Sequence, residues 1–99
     1  MTIIWTDEAE TSFTNILLYL TSEFSNRITQ KFYNDSYKVL NQITIDPFLF
    51  RKAEIQNVHR AVIHKFTSLY YKVDLEKNSI VLLFFFDTRQ NLNKIDFKP

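Results

Sequence analysis

The sequence predicts an α+β domain of order β-α-α-β-β-β, with a helical hairpin packed on a mostly antiparallel four-stranded sheet. Three observations predict it. Two consecutive stretches repeat apolar residues at the 3.6-residue helical spacing. Three runs rich in β-branched and aromatic residues follow them, separated by polar turns. A short apolar run precedes the helices. Helices segregated from the later strands give one layer of each rather than alternating units.

Thr2 to Trp5, short and partly β-branched, is the first strand. Thr6 or Asp7 caps the first helix, and Glu8 and Glu10 in its first turn favour the helix dipole. Its apolar stripe is Ala9, Phe13, Ile16, Leu17, Leu20 and Phe24. Ser25-Asn26 ends that helix and caps the next. The second stripe is Ile28, Phe32, Val39, Leu40 and Ile43, flanked by Tyr33 and Tyr37. Asp46-Pro47 stops it, because a residue before proline avoids the α region. In the irregular residues 47–57, Phe48, Leu49 and Phe50 are expected on the core, with Arg51, Lys52 and Glu54 solvated. The remaining strands are Val58 to Phe66, Ser68 to Leu75 and Ser79 to Phe86. The seven apolar residues Ile80 to Phe86 predict a central strand buried on both faces. Asn91 to Pro99 reads as a polar tail.

With 99 residues, 45% of them hydrophobic, the chain is one small domain, residues 1–99, too apolar to be disordered by composition. Cysteine is absent, which excludes disulfides and thiolate chemistry and fits a reducing cytoplasm. The first eight residues lack the basic and apolar regions of a secretory signal. Glycine is also absent, so turns needing positive φ fall to Asn57, Asn78, Asn91 and Asn93. The net charge of +1 conceals an asymmetry. Residues 1–46 carry three basic and six acidic residues, and residues 47–99 carry nine and five. The C-terminal half is therefore the half suited to an anion.

Read in order, the local signatures resemble the RelE/ParE superfamily of toxins from type II toxin–antitoxin modules. The resemblance is carried by Ile3-Ile4-Trp5-Thr6-Asp7-Glu8-Ala9 and by Asp46-Pro47. It continues in Val58-His59-Arg60, in Leu69-Tyr70-Tyr71-Lys72-Val73, and in Ile80 to Arg89 with Gln90-Asn91. It implies a cytoplasmic bacterial growth inhibitor neutralised by a cognate antitoxin, either alone as a homodimer or in a heterotetramer with it. Members either poison DNA gyrase or cut mRNA on the ribosome. It implies no cofactor and no membrane. Ser68 stands where ribosome-dependent members typically carry arginine. The tail lacks their Tyr or His, and the chain is less basic than they are. These departures favour the gyrase-binding branch, or a non-toxic relative serving as a protein-interaction domain.

Metal-free RNA cleavage needs a base, a stabiliser of phosphorane charge and an acid for the leaving oxygen. The residue types available are Arg60, His64 and Arg89 as the catalytic set. Lys65, Tyr70, Asp87 and Gln90 are the target- or antitoxin-binding set. Strand parity puts Arg60, Val62, His64 and Phe66 on one face and His59, Ala61, Ile63 and Lys65 on the other. That lets Arg60 work with His64 and separates the two histidines, so no metal site is expected. The competing roles are structural. Arg60 pairs with Asp87 or Glu54, Asp87 pairs with Arg89, and Arg89 guards the Phe84–Phe86 run against aggregation.

Overall fold

The computed structural model describes residues 1–53 and 56–90. The order is β1 (Thr2–Trp5), α1 (Asp7–Glu23), α2 (Asn26–Ile45), β2 (His59–His64), β3 (Thr67–Asp74) and β4 (Ser79–Asp87). The strands form one sheet in the order β1-β4-β3-β2. β1 runs parallel to β4 and the other pairs are antiparallel. The expected α+β architecture is the one observed.

Capping decides where the helices start. The Thr6 side chain accepts from the Ala9 amide at 3.1 Å, and its hydroxyl lies 2.7 Å from the Leu82 carbonyl. One residue thus caps α1 and pins its start to the central strand. Ser25 caps α2 by accepting from the Ile28 amide at 3.2 Å. The helices fold back on each other, with Phe13 against Phe32 and Tyr37, and Thr21 bonded to Thr29. Ala9, Phe13, Ile16 and Leu20 meet Phe32, Val39, Leu40 and Ile43 over Ala61, Leu69, Tyr71, Ile80, Leu82 and Phe85. The helical members of this set come from the stripes read from the sequence, whereas Leu17 of those stripes is only partly buried and Phe24 and Ile28 stay exposed. No described helix is long and apolar enough to cross a membrane.

The two described candidate turn asparagines carry positive φ, 62° at Asn57 and 50° at Asn78. In a chain without glycine they supply the left-handed turns. Asn91, Asn93 and the rest of the tail lie outside the described residues.

Two readings of the sequence need correction. β4 is central but not buried on both faces. Ile80, Leu82, Phe85 and Asp87 face the helices and are buried, while Val81, Leu83 and Phe84 are partly exposed and Phe86 is exposed. Among the described residues the long helices α1 and α2 cover one side of the sheet, and an apolar run cannot tell one covered face from two. Phe48 and Leu49 also stay exposed, and only Phe50 packs on the core. The segment runs along the outer edge of β2 instead. Lys52 bridges His59, and the Arg60 amide donates to the Arg51 carbonyl at 3.0 Å.

Tyr71 anchors this segment. Its ring is fully buried and stacks on His59 at 5.2 Å, and its hydroxyl donates to the Pro47 carbonyl at 2.8 Å. Burial and the Asp46 charge push the phenol up to about 12. In the unfolded chain it ionises near its ordinary value of about 10. Between those values the folded state holds the extra proton, so stability falls as pH rises from about 10 to about 12. Tyr71→Phe should flatten that alkaline limb and cost about 1 kcal/mol at neutral pH, measured by urea unfolding.

Candidate functional site

The bare face of the sheet carries Arg60 and Val62 from β2, Ser68 and Tyr70 from β3, and Phe84 and Phe86 from β4. Pairing fixes their neighbourhood: Arg60 opposite Tyr70, Val62 opposite Ser68, Ser68 opposite Phe86 and Tyr70 opposite Phe84. Tyr70 stacks on Phe84 with centroids 4.7 Å apart and planes 19° from parallel. The Arg60 Nε donates to the Ser68 hydroxyl at 3.0 Å, which orients the guanidinium. Phe50, Arg51, Lys52, Ala53, Arg60, Val62 and Tyr70 enclose a cleft of about 580 Å3. The cations at this cleft come from β2 and from the segment bridged to its edge. No acidic residue lines it among the described residues. Sequence reasoning missed Arg51 and Lys52 as members, because only the irregular pairing of their segment with β2 brings them to Arg60.

His64 and Arg89 lie elsewhere. The strand parity that joined Arg60 to His64 fails because β2 shifts register between Val62 and His64. Val62 faces Ser68, whereas His64 faces Thr67. One extra residue reverses the alternation, so a bulge moves His64 to the helix side. There its ring meets Phe32 edge-on at 5.9 Å. Its Nδ1 accepts from the Phe66 amide at 3.2 Å, and its Nε2 lies 3.3 Å from the Thr67 hydroxyl. The Thr67 hydroxyl donates to Asp87 at 2.6 Å, so it accepts from His64. This geometry assigns the neutral Nε2–H tautomer. Burial pushes the imidazole below its ordinary value, and the Arg89 charge adds to this. Asp87 and Asp35 oppose the shift, and Lys31 reinforces it.

Asp87 is fully buried. Its carboxylate accepts from Arg89 Nη2 at 2.8 Å, Arg89 Nε at 3.2 Å and the amides of Arg89 and Gln90 at 2.9 and 3.3 Å. Burial works to raise its pKa. The hydrogen bonds from Arg89 and Thr67, with the Arg89 charge, win and hold it below the usual carboxylate range. The Asp87–Arg89 pair expected from sequence is present, and the Arg60–Asp87 pair is not, since the two point to opposite faces. Glu54 lies outside the described residues. Arg89 sits over the rings of Phe66 and Phe24 at 4.6 and 5.4 Å. Gln90 donates to the Asn15 carbonyl at 3.2 Å and ties the strand end to α1. Lys65 is exposed on the β2–β3 turn, with its Nζ 5.3 Å from the Phe66 centroid. Arg60 therefore stands apart from Lys65 and Arg89, which flank the helix side of the sheet. No described cluster of His, Cys, Asp or Glu could hold a metal ion.

A folded-state imidazole with a lowered pKa loses stability as pH falls below about 6.5, where the unfolded chain takes up the proton first. His64→Gln should remove that part of the acid limb. Nitrogen NMR of the wild type should show the Nε2–H tautomer at neutral pH and titration below the ordinary imidazole value.

Helices α1 and α2 on one side of a mixed four-stranded sheet, with the other side uncovered among the described residues, form the architecture that the sequence led us to expect. The chain is similar to a chain of the chromosomal ParDE TA system from P. aeruginosa, with a TM-score of 0.73 over 88% of this chain and 95% of that one at 16% identity. It is also similar to a chain of the toxin–antitoxin complex RelBE2 from Mycobacterium tuberculosis, with a TM-score of 0.58 over 87% of this chain and 95% of that one at 15% identity. No family model and no curated protein matches the sequence.

Proposed function

We propose that this chain is the toxin of a type II toxin–antitoxin module. In this reading it is a cytoplasmic growth inhibitor, held inactive by a cognate antitoxin, and it acts by binding DNA gyrase. The fold shared with chains of two toxin–antitoxin structures supports the module. One observation supports binding over cleavage. Arg51, Lys52 and Arg60 converge on the bare face around Tyr70, while His64 is a neutral, hydrogen-bonded group on the far side. A proton carrier that cannot reach the charged cleft cannot serve as its acid or base.

Induced expression should arrest growth, and the purified protein should inhibit supercoiling or accumulate gyrase-cleaved plasmid. Normal supercoiling at excess protein would sink the gyrase target. His64→Ala should leave the arrest intact. A second reading, ribosome-dependent mRNA cleavage, draws on the Tyr70–Phe84 stack beside Arg60, a surface that suits a base and its phosphate. Under that reading, primer extension finds cuts within codons during arrest, and Arg60→Ala removes them.

A further inference from the structure

The two outer strands of the sheet differ in how their free edges are covered. The outer edge of β2 is covered by its own chain. Lys52 bridges His59, the Arg60 amide donates to the Arg51 carbonyl at 3.0 Å, and the Ala53 amide donates to the Val58 carbonyl at 2.6 Å. β1 pairs with β4 alone, so its other edge has no partner strand among the described residues. The Thr2 and Thr6 amides donate to the carbonyls of Asn78 and Leu82. Alternate residues of a strand face one neighbour, so Ile3 and Trp5 turn their amide and carbonyl groups outward. An open edge is ordinarily guarded by a charge, a proline or a bulge. β1 reads Thr-Ile-Ile-Trp and pairs in unbroken register, with none of the three. Exposed aromatic surface lies beside it. The Tyr37 ring of α2 is 6.4 Å from Trp5 and 4.8 Å from Tyr33, and both tyrosines are exposed, as is Ile4 at 43%.

We propose that β1 pairs antiparallel with β1 of a second copy of this chain, joining two four-stranded sheets into one. The edge is self-complementary. With Ile4 opposite Ile4 of the other copy on the two-fold axis, Ile3 stands opposite Trp5 of the other copy, and the outward amides and carbonyls of both residues are satisfied. A two-fold contact also sets each side chain at the axis against itself, so a charge there would repel its own copy. Ile3, Ile4, Trp5, Tyr33 and Tyr37 carry none at neutral pH. Further from the axis, opposite charges approach. The register brings Asp7, at the start of α1, alongside the turn that bonds Thr2 through Asn78, where Lys77 is the adjacent residue and Glu76 lies one further away. Four residues of pairing with an aromatic rim make a small interface, so the dimer is weak and concentration-dependent. β1 is the far edge of the sheet from β2, so pairing leaves both cationic clefts open at the two ends of the joined sheet. The proposal stands on the strand edge and does not depend on the gyrase reading.

Sedimentation velocity of the purified full chain should show a monomer–dimer equilibrium. Ile4 is exposed, so Ile4→Lys and Ile4→Glu should fold, which far-UV circular dichroism checks. Each should dimerise about tenfold more weakly, because the new charge faces its own copy. Mixed in equal amounts, the two variants should dimerise again. In the wild type, the Ile3 and Trp5 amides should exchange with solvent about tenfold more slowly in the dimer than on dilution, which reads the pairing without any substitution. A wild type that stays monomeric overturns the proposal. If Ile4→Lys then weakens binding of the protein encoded by the adjacent reading frame, that protein is the occupant of the edge. Folded variants that dimerise like the wild type overturn it too, as does a mixture of folded variants that stays monomeric. A dimer that leaves the Ile3 and Trp5 amides unprotected does the same.

Discussion

Asp87→Ala should destabilise the fold by about 3 kcal/mol, the largest loss expected from any single polar substitution here. Breaking a buried ion pair costs about 3–5 kcal/mol because the surviving charge is left without its partner. The lower end applies because the Arg89 side chain keeps 21% of its exposure and can recover some water. Asp87 also bonds Thr67 and the amides of Arg89 and Gln90. Its loss therefore unties the end of β4, the β2–β3 turn and the His64 contact together. Urea unfolding with an unchanged slope measures the loss, and a change under about 1 kcal/mol would refute this account. The pH dependence has a defined sign. A carboxylate with a depressed folded-state pKa contributes stability above its unfolded value near 4, and that contribution fades as pH falls through the folded value. Asp87→Asn should lose this part of the acid dependence. Arg89→Ala should show the same instability, which marks Arg89 as part of a clamp.

Arg60→Glu should have the largest effect on function. Arg60 is exposed, and its described side-chain bond is to Ser68, so stability should change by no more than about 0.5 kcal/mol. Reversing a charge at the centre of a three-cation cleft should cost about 2 kcal/mol or more of target binding, roughly a thirtyfold loss. Under the proposed function, growth arrest on induction and gyrase affinity both measure it. Arg60→Lys keeps the charge and loses the fork that Ser68 orients, so an intermediate effect is expected. A fully active Arg60→Glu would mean that the bare face does not meet the target.

Much of the fold was legible because its signals are local. Helical stripes, the Thr6 and Ser25 caps, the Asp46-Pro47 stop and the Asn78 turn each act within a few residues. Their positions survived folding almost unchanged. The site was less legible because it depends on pairing. Arg60 and Tyr70 were singled out and do share a face. Arg51 and Lys52 reach them only through a bridge between Lys52 and His59. His64 was put on the wrong face by counting residues, since period two holds only while register holds.

The sequence by itself determined the elements, their order, most of the helical core residues and the basic character of the C-terminal half. Composition and periodicity encode these directly, through apolar burial and backbone preference. Only the tertiary structure decided which charges stand together. A one-residue bulge in β2 and the pairing of an irregular segment separated a cationic cleft on the bare face from the His64–Thr67–Asp87–Arg89 chain beneath the helices. The physical reason is that side-chain direction in a strand reverses with each added residue. Contacts far apart in the chain fix that register, and a linear pattern does not contain them.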